Sequence, residues 1–268
     1  MNKFAAIATC LVCAVSAPEF ASASSSGWFE TDGGRVRLVT TGKPGADGRL
    51  RGILDIELKP GWKTYWRDPG DSGVPPQIGL SASTNVAAAE LAFPAPQRHD
   101  DGYAKWAGYD YPVALPVTFT IKVLDGPAII DADVFLGICE TICIPVTAKL
   151  VFDPGRDSDN RDDAVSVEQA FAALPGPARP DFGVTVVSRA DAALVVEANL
   201  PGDPASAELF VAGADGYAFG VPVKTQKDNK MLFSVELLDA PASPPAGPGL
   251  HYTLVTDAGS VSGLLPYP

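Results

Sequence analysis

Glycine (26 residues) and proline (25 residues) are spread along the whole of this 268-residue chain and cut it into short runs, which leaves no room for long helices. The runs alternate apolar and polar residues. Arg35–Val39, Leu50–Leu58, Val113–Val123, Ile129–Ile138 and Ile144–Phe152 are rich in Val, Ile, Thr and Phe, with turn residues between them. Several short strands at that spacing predict a β-sandwich.

From Asp153 to Asp163 the chain is charged and nearly free of apolar residues, so it cannot bury a core and reads as a linker. Ser166–Leu174 is expected to form one short helix, capped by Ser166 with Gln169 three residues on, and stopped by Pro175-Gly176. Strand-like runs resume at Gly183–Val187, Ala193–Ala198, Glu208–Ala212, Met231–Leu237 and His251–Val255. The expected organisation is therefore all-β: one sandwich over 28–152, a polar linker over 153–179 with at most one short helix, and a second, smaller β-sandwich over 180–268. The second unit has no cysteine, no tryptophan and a single histidine, His251, and nothing in its sequence points to catalysis.

The first residues follow the three-part layout of a secretory signal: Lys3, an apolar stretch from Phe4 to Ala17, then Ala21-Ser22-Ala23 ahead of a serine run. Cleavage is expected after Ala23, so residues 1–23 are a signal peptide and the mature chain is exported to the periplasm. The apolar stretch falls short of the roughly 20 residues that span a bilayer, and no later segment approaches that length without charges or prolines. The chain is not expected to span a membrane. Removing Lys3 and Glu19 with the leader keeps the formal net charge at -12, which argues against nucleic acid as a partner because phosphate binding needs a basic surface.

Of four cysteines, Cys10 and Cys13 are expected to leave with the leader, and Cys139 and Cys143 remain. In an oxidising compartment a disulfide between them is the default. Cys139 and Cys143 lie between two alternating runs, leaving Glu140 to Ile142 to turn the chain, and a three-residue hairpin loop makes its flanking residues cross-strand neighbours. Such neighbours stand within disulfide reach. A structural staple is one reading, although a loop of about five residues contributes only about 2 kcal/mol in the chain-entropy model. Reversible exchange is another, because a short exposed hairpin disulfide is accessible to attack. A Cu(I) site using Cys139, Cys143 and His99 is a third, short of further ligands. The aromatics Trp62, Tyr65, Trp66, Trp106 and Tyr109 are candidates for partner contact or for a glycan platform, against the ordinary reading of such rings as core.

Three blocks carry a resemblance: Gly61-Trp62-Lys63-Thr64-Tyr65-Trp66-Arg67 with Pro69-Gly70 and Pro75-Pro76; His99-Asp100-Asp101-Gly102-Tyr103 on to Tyr109 and Leu115-Pro116-Val117; and Cys139 to Pro145. Together they resemble the amino-terminal periplasmic domain of the DsbD family of thiol:disulfide interchange proteins, especially its ScsB-like branch. The resemblance implies an immunoglobulin-like fold whose cysteine pair shuttles electrons. It makes Cys143 the cysteine that forms mixed disulfides and Cys139 the resolving one. Asp100, Asp101 and Tyr103 match a cap loop over the pair, where the two carboxylates would raise the thiol pKa, the alternative being that they are simply solvated loop charges; the ring-bearing cap position of the family is Gly102 here, so Tyr103 or Trp106 must supply the ring. Implied partners are a thioredoxin-like or transmembrane thiol:disulfide protein as electron donor and envelope redox proteins as acceptors, with no cofactor. Family members carry transmembrane and thioredoxin domains in the same chain; this sequence ends at Pro268 without them, so the expectation is a reductase or relay component served by a separate reductant, the alternative being a non-catalytic β-sandwich binding module with a structural disulfide.

Overall fold

The structure is a computed structural model that describes residues 24–267, apart from 71, 101, 103, 191, 192, 215, 229 and 244. The expected leader, Asp101 and Tyr103 thus lie outside the described residues. The first half of the chain forms β1 (Phe29–Thr31), β2 (Gly34–Thr40), β3 (Arg49–Leu58), β4 (Thr64–Gly70), β5 (Gln77–Gly79) and β6 (Val86–Leu91). It continues with β7 (Gln97–Asp100), β8 (Lys105–Tyr109), β9 (Val113–Ile121), β10 (Ile130–Cys139) and β11 (Cys143–Phe152). One sheet runs in the order β1-β2-β3-β9-β6, facing two smaller ones, β11-β10-β5 and β4-β8-β7. Among the described residues the fold is all-β with a single α-helix, as expected.

Alternation decides which residues fill the first core. On β10, Ile130, Ala132, Val134, Leu136 and Ile138 are buried at every second position, and on β11 so are Val146, Ala148, Leu150 and Phe152. They meet Val36, Leu38, Leu54, Ile56, Leu115, Val117 and Phe119 of the larger sheet in one cluster. A one-residue slip of either strand would turn its apolar set to solvent, so the pattern holds the register from Ile130 opposite Phe152 to Cys139 opposite Cys143.

The stretch read as a linker is more structured than its composition suggests. Helix α1 spans Arg161–Ala172, so it starts five residues earlier than expected, and its cap is Asn160 rather than Ser166. The Asn160 side chain accepts the backbone N–H groups of Asp162 and Asp163, both at 3.1 Å, and those two carboxylates sit favourably on the positive helix terminus. Ser166 instead bonds back to the Asp162 carbonyl within the helix. Val167 and Ala170 close over Val39 and Ile53 on the outer face of the larger sheet, and Arg51–Glu168 and Lys43–Asp159 pairs flank the contact. The acidic segment therefore clamps the first unit rather than running free beside it.

The second half forms β12 (Gly176–Pro177), β13 (Gly183–Ala190), β14 (Ala193–Asn199), β15 (Glu208–Ala212) and β16 (Ala218–Phe219). Then come β17 (Val223–Lys227), β18 (Lys230–Asp239), β19 (Leu250–Thr256) and β20 (Gly259–Leu265). Two sheets, β12-β20-β19-β15 and β13-β14-β18-β16 with β17 also on β18, enclose a second core built on Leu194, Val196, Phe233, Val235, Leu254 and Val261. The halves are in contact. Phe210 and Ala212 of β15 belong to the first core rather than the second, and Phe210 meets Trp66 edge-on at 5.9 Å. Arg98 lies over the Phe210 ring at 4.5 Å and donates to the Leu209 carbonyl at 3.0 Å. No helix among the described residues is long and apolar enough to cross a membrane.

Candidate functional site

The β10–β11 hairpin ends in the cysteine pair, which is oxidised, with the two Cα atoms 4.1 Å apart. The two sulfurs are not equivalent. Cys139 is 1% exposed, whereas Cys143, the first residue of the returning strand, is exposed, and Ile142 beside it at the tip is 76% exposed. A nucleophile arriving from solvent therefore meets Cys143.

The segment Lys63-Thr64-Tyr65 builds the wall behind Cys139. The Lys63 and Cys139 backbones exchange both hydrogen bonds, at 2.8 and 2.9 Å, and the Thr64 hydroxyl donates to the Gly137 carbonyl at 2.9 Å. Tyr65, 1% exposed, then brings its phenol to the disulfide: the O–H donates to Cys139 Sγ at 3.0 Å and lies 3.1 Å from Cys143 Sγ. The ring fits because Gly137 faces it. A Cβ there would stand 3.2 Å from the Tyr65 ring and 3.1 Å from Val74, closer than packed atoms comfortably sit.

Strand β8 closes the other side. Trp106 forms a buried cluster with Tyr65 and Cys139, meeting Tyr65 edge-on at 5.9 Å, so it is the ring that shields the inner cysteine. His99 stacks on Trp106 at 3.9 Å and Lys63 Nζ lies 4.5 Å from the same ring. Burial lowers the His99 pKa, with Lys63 pushing the same way and Asp110 opposing, so the imidazole is held neutral. Its Nε2 and the Trp106 Nε1 are buried without a hydrogen bond.

The aromatic set expected to contact partners is mostly interior. Tyr65, Trp66, Trp106 and Tyr109 are all buried, because β4 and β8 pack face-on against the sandwich, and only Trp62 stays partly open. Asp100, at the end of β7, is exposed and its carboxylate accepts the Gly102 N–H at 3.0 Å. Gly102 has φ +83°, a conformation suited to glycine and hostile to a large ring. Among the described residues no three His, Cys, Asp or Glu side chains gather as a metal would require, and His99 sits behind Trp106 as a stacking partner. Sequence reading missed what Tyr65 does. Alternation does not mark it, because Thr64, Tyr65 and Trp66 are buried in succession.

The phenol defines a first test. Attack at Cys143 puts developing charge on Cys139, and a hydrogen bond to a charged group is worth about 1.5–3 kcal/mol. Tyr65→Phe is expected to slow reduction by dithiothreitol roughly tenfold or more, each 1.4 kcal/mol being tenfold, while leaving the hairpin folded. Stopped-flow thiol appearance checks it; an unchanged rate would make the phenol a packing group only.

Residues 37–154 match the family model described as thiol:disulfide interchange protein DsbD, N-terminal. A solved structure, the N-terminal periplasmic domain of ScsB from Proteus mirabilis, superimposes with a TM-score of 0.72 at 24% identity, covering 92% of this chain and 100% of that one. No curated protein matches by sequence.

Proposed function

We propose, from the match of residues 37–154 to the DsbD amino-terminal family, that this protein exchanges electrons with periplasmic partners through a reversible Cys139–Cys143 disulfide. The observation that carries the reading is the asymmetry of the pair: one sulfur open, the other enclosed by Tyr65 and Trp106 with a hydrogen-bond donor on it. In the inward step a donor thiolate attacks Cys143 Sγ, the S–S bond breaks, and Cys139 leaves as a thiolate facing the Tyr65 O–H. A second thiol of the donor then attacks the mixed disulfide, releasing Cys143 and oxidising the donor dithiol to a disulfide. In the outward step the Cys143 thiolate attacks an acceptor disulfide. Cys139 closes back on Cys143 and frees the acceptor as a dithiol. Two electrons move in each direction and no cofactor is needed.

The donor in this reading is a thioredoxin-like or transmembrane thiol:disulfide protein, and the acceptors are envelope redox proteins. Docking is assigned to the surface round the hairpin tip, where Ile142 is exposed and Trp62 is partly open. The turn after Asp100 is assigned as the cap, supported by its attachment through His99 and Trp106 to the cluster on Cys139. The immunoglobulin-like description of both sandwiches, the unit boundaries at 28–152 and 180–268, and removal of a leader at Ala23 belong to the same proposal.

Thiol trapping decides it. The purified protein is expected to show two alkylatable thiols after dithiothreitol and none before, and the reduced form to reoxidise on transferring its electrons to a protein disulfide. A pair that stays oxidised in reductant strong enough for ordinary redox-active disulfides would leave a structural staple. Cu(I) retained after dialysis and lost in Cys143→Ser would replace exchange by metal binding.

A further inference from the structure

Strand β4 carries Tyr65 to the disulfide and, two residues on, carries Arg67 into the junction between the two halves of the chain. Among the described residues no carboxylate pairs with Arg67 there. Its guanidinium lies 4.9 Å from the Phe93 ring centroid and 5.8 Å from that of Trp66, and its Nε is buried with no hydrogen-bond partner. A largely enclosed cation with an unmet N–H is costly unless something polar reaches it, and such groups in native folds call for a specific explanation.

The space in front of it is suited to supply one. Arg67 lines a cleft of about 260 Å³ whose apolar wall is Ala92, Phe93 and Leu174 and whose opposite wall is β19 and β20, with His251 and Thr253. His251 adds a second basic side chain. Burial lowers its pKa, and the nearby Arg67 charge lowers it further. Arg67 is thus the cation that faces this largely apolar cleft. The lowered pKa of His251 favours its neutral imidazole, a hydrogen-bonding neighbour rather than a second charge. No acidic side chain among the described residues lines the cleft. The planar guanidinium fork matches the two oxygens of a carboxylate, and the apolar wall matches a short hydrocarbon tail.

We propose that this cleft between the halves binds a small carboxylate-bearing molecule, anchored by Arg67 and bounded by His251 and Thr253. The site requires both halves of the chain, since Arg67 comes from β4 and His251 from β19. It stands apart from the disulfide chemistry and does not depend on it.

The test uses the oxidised full protein and two probes of equal shape, butyrate and butyramide, added at constant ionic strength and followed by amide chemical shifts. Butyrate is expected to produce saturable shifts at Ala92, Thr253 and Gly263, and butyramide none. Arg67→Met should weaken butyrate binding about tenfold or more, and Arg67→Lys should fall between, keeping the charge but losing the fork. Equal responses to butyrate and butyramide would overturn the proposal, as would unchanged affinity in Arg67→Met. Saturation by inorganic phosphate but not by butyrate would overturn the ligand class. Should Arg67→Met fail to fold, the two-probe comparison on the unaltered protein still decides.

Discussion

Cys139→Ala is expected to accumulate mixed disulfides with partner proteins through Cys143, while Cys143→Ala accumulates none, and both variants lose turnover to background. The difference follows first from access, the two cysteines standing opposite each other in one hairpin. Cys143 is open to solvent, and Cys139 is 1% exposed beneath Tyr65 and Trp106. In the proposed exchange a mixed disulfide at Cys143 is cleared when Cys139, opposite it in the hairpin register, attacks it. Without Cys139 that attack is lost and the adduct persists. Non-reducing electrophoresis after acid quenching, with mass spectrometry of the adducts, gives the answer. Equal adduct yields from the two variants, or adducts only in Cys143→Ala, would reverse the assignment of attacking and resolving cysteines.

Trp66→Ala is expected to be the most destabilising single change, by about 3–5 kcal/mol, as is usual for truncating a buried large aromatic. Trp66 is 2% exposed within the first core and meets Phe210 from the second half of the chain edge-on. Truncation opens a cavity at the place where the two halves join. Urea unfolding should show the loss. A double cycle with Phe210→Leu should return a coupling of about 0.5–1.5 kcal/mol for the ring pair. If Trp66→Ala unfolds with the stability of the parent, the ring is not the packing element its burial indicates. Zero coupling would show that the halves do not communicate through these rings.

How far the sequence reveals this molecule depends on whether the deciding interaction is local. The hairpin of Cys139 and Cys143 was legible because its two strands flank a three-residue turn and their alternation sets the register without help from elsewhere. The strand runs of both halves were legible for the same reason, and so was the all-β class. The start of α1 was not. Nine polar and charged residues with Pro154 and Gly155 look like a tether when counted, whereas the helix is set by one side chain, Asn160, and by a docking surface on Val39 and Ile53 far away in the chain. Strands β4 and β8 escaped notice because aromatic and charged residues obscure their alternation, and β4 reaches its register with β8 only through an irregular step between Tyr65 and Gly70. The contact of Phe210 with the first core has no signal in the chain at all; a buried Phe on a strand reads the same whichever core it enters.

The cross-strand bonds beneath the disulfide determine what reduction can change. β10 and β11 pair along their full lengths, and Cys139 is tied a second time by its two backbone bonds to Lys63. Opening the S–S bond therefore removes a clasp from a seam already sewn on both sides. The backbone pairing is expected to keep the two sulfurs opposite each other after reduction, so that little nuclear rearrangement would separate the two forms. If the pair exchanges electrons as proposed, the molecule would act as a rechargeable cell with a rigid casing, storing two electrons with little change of outline, so that a partner would have to distinguish the two forms at the sulfur itself.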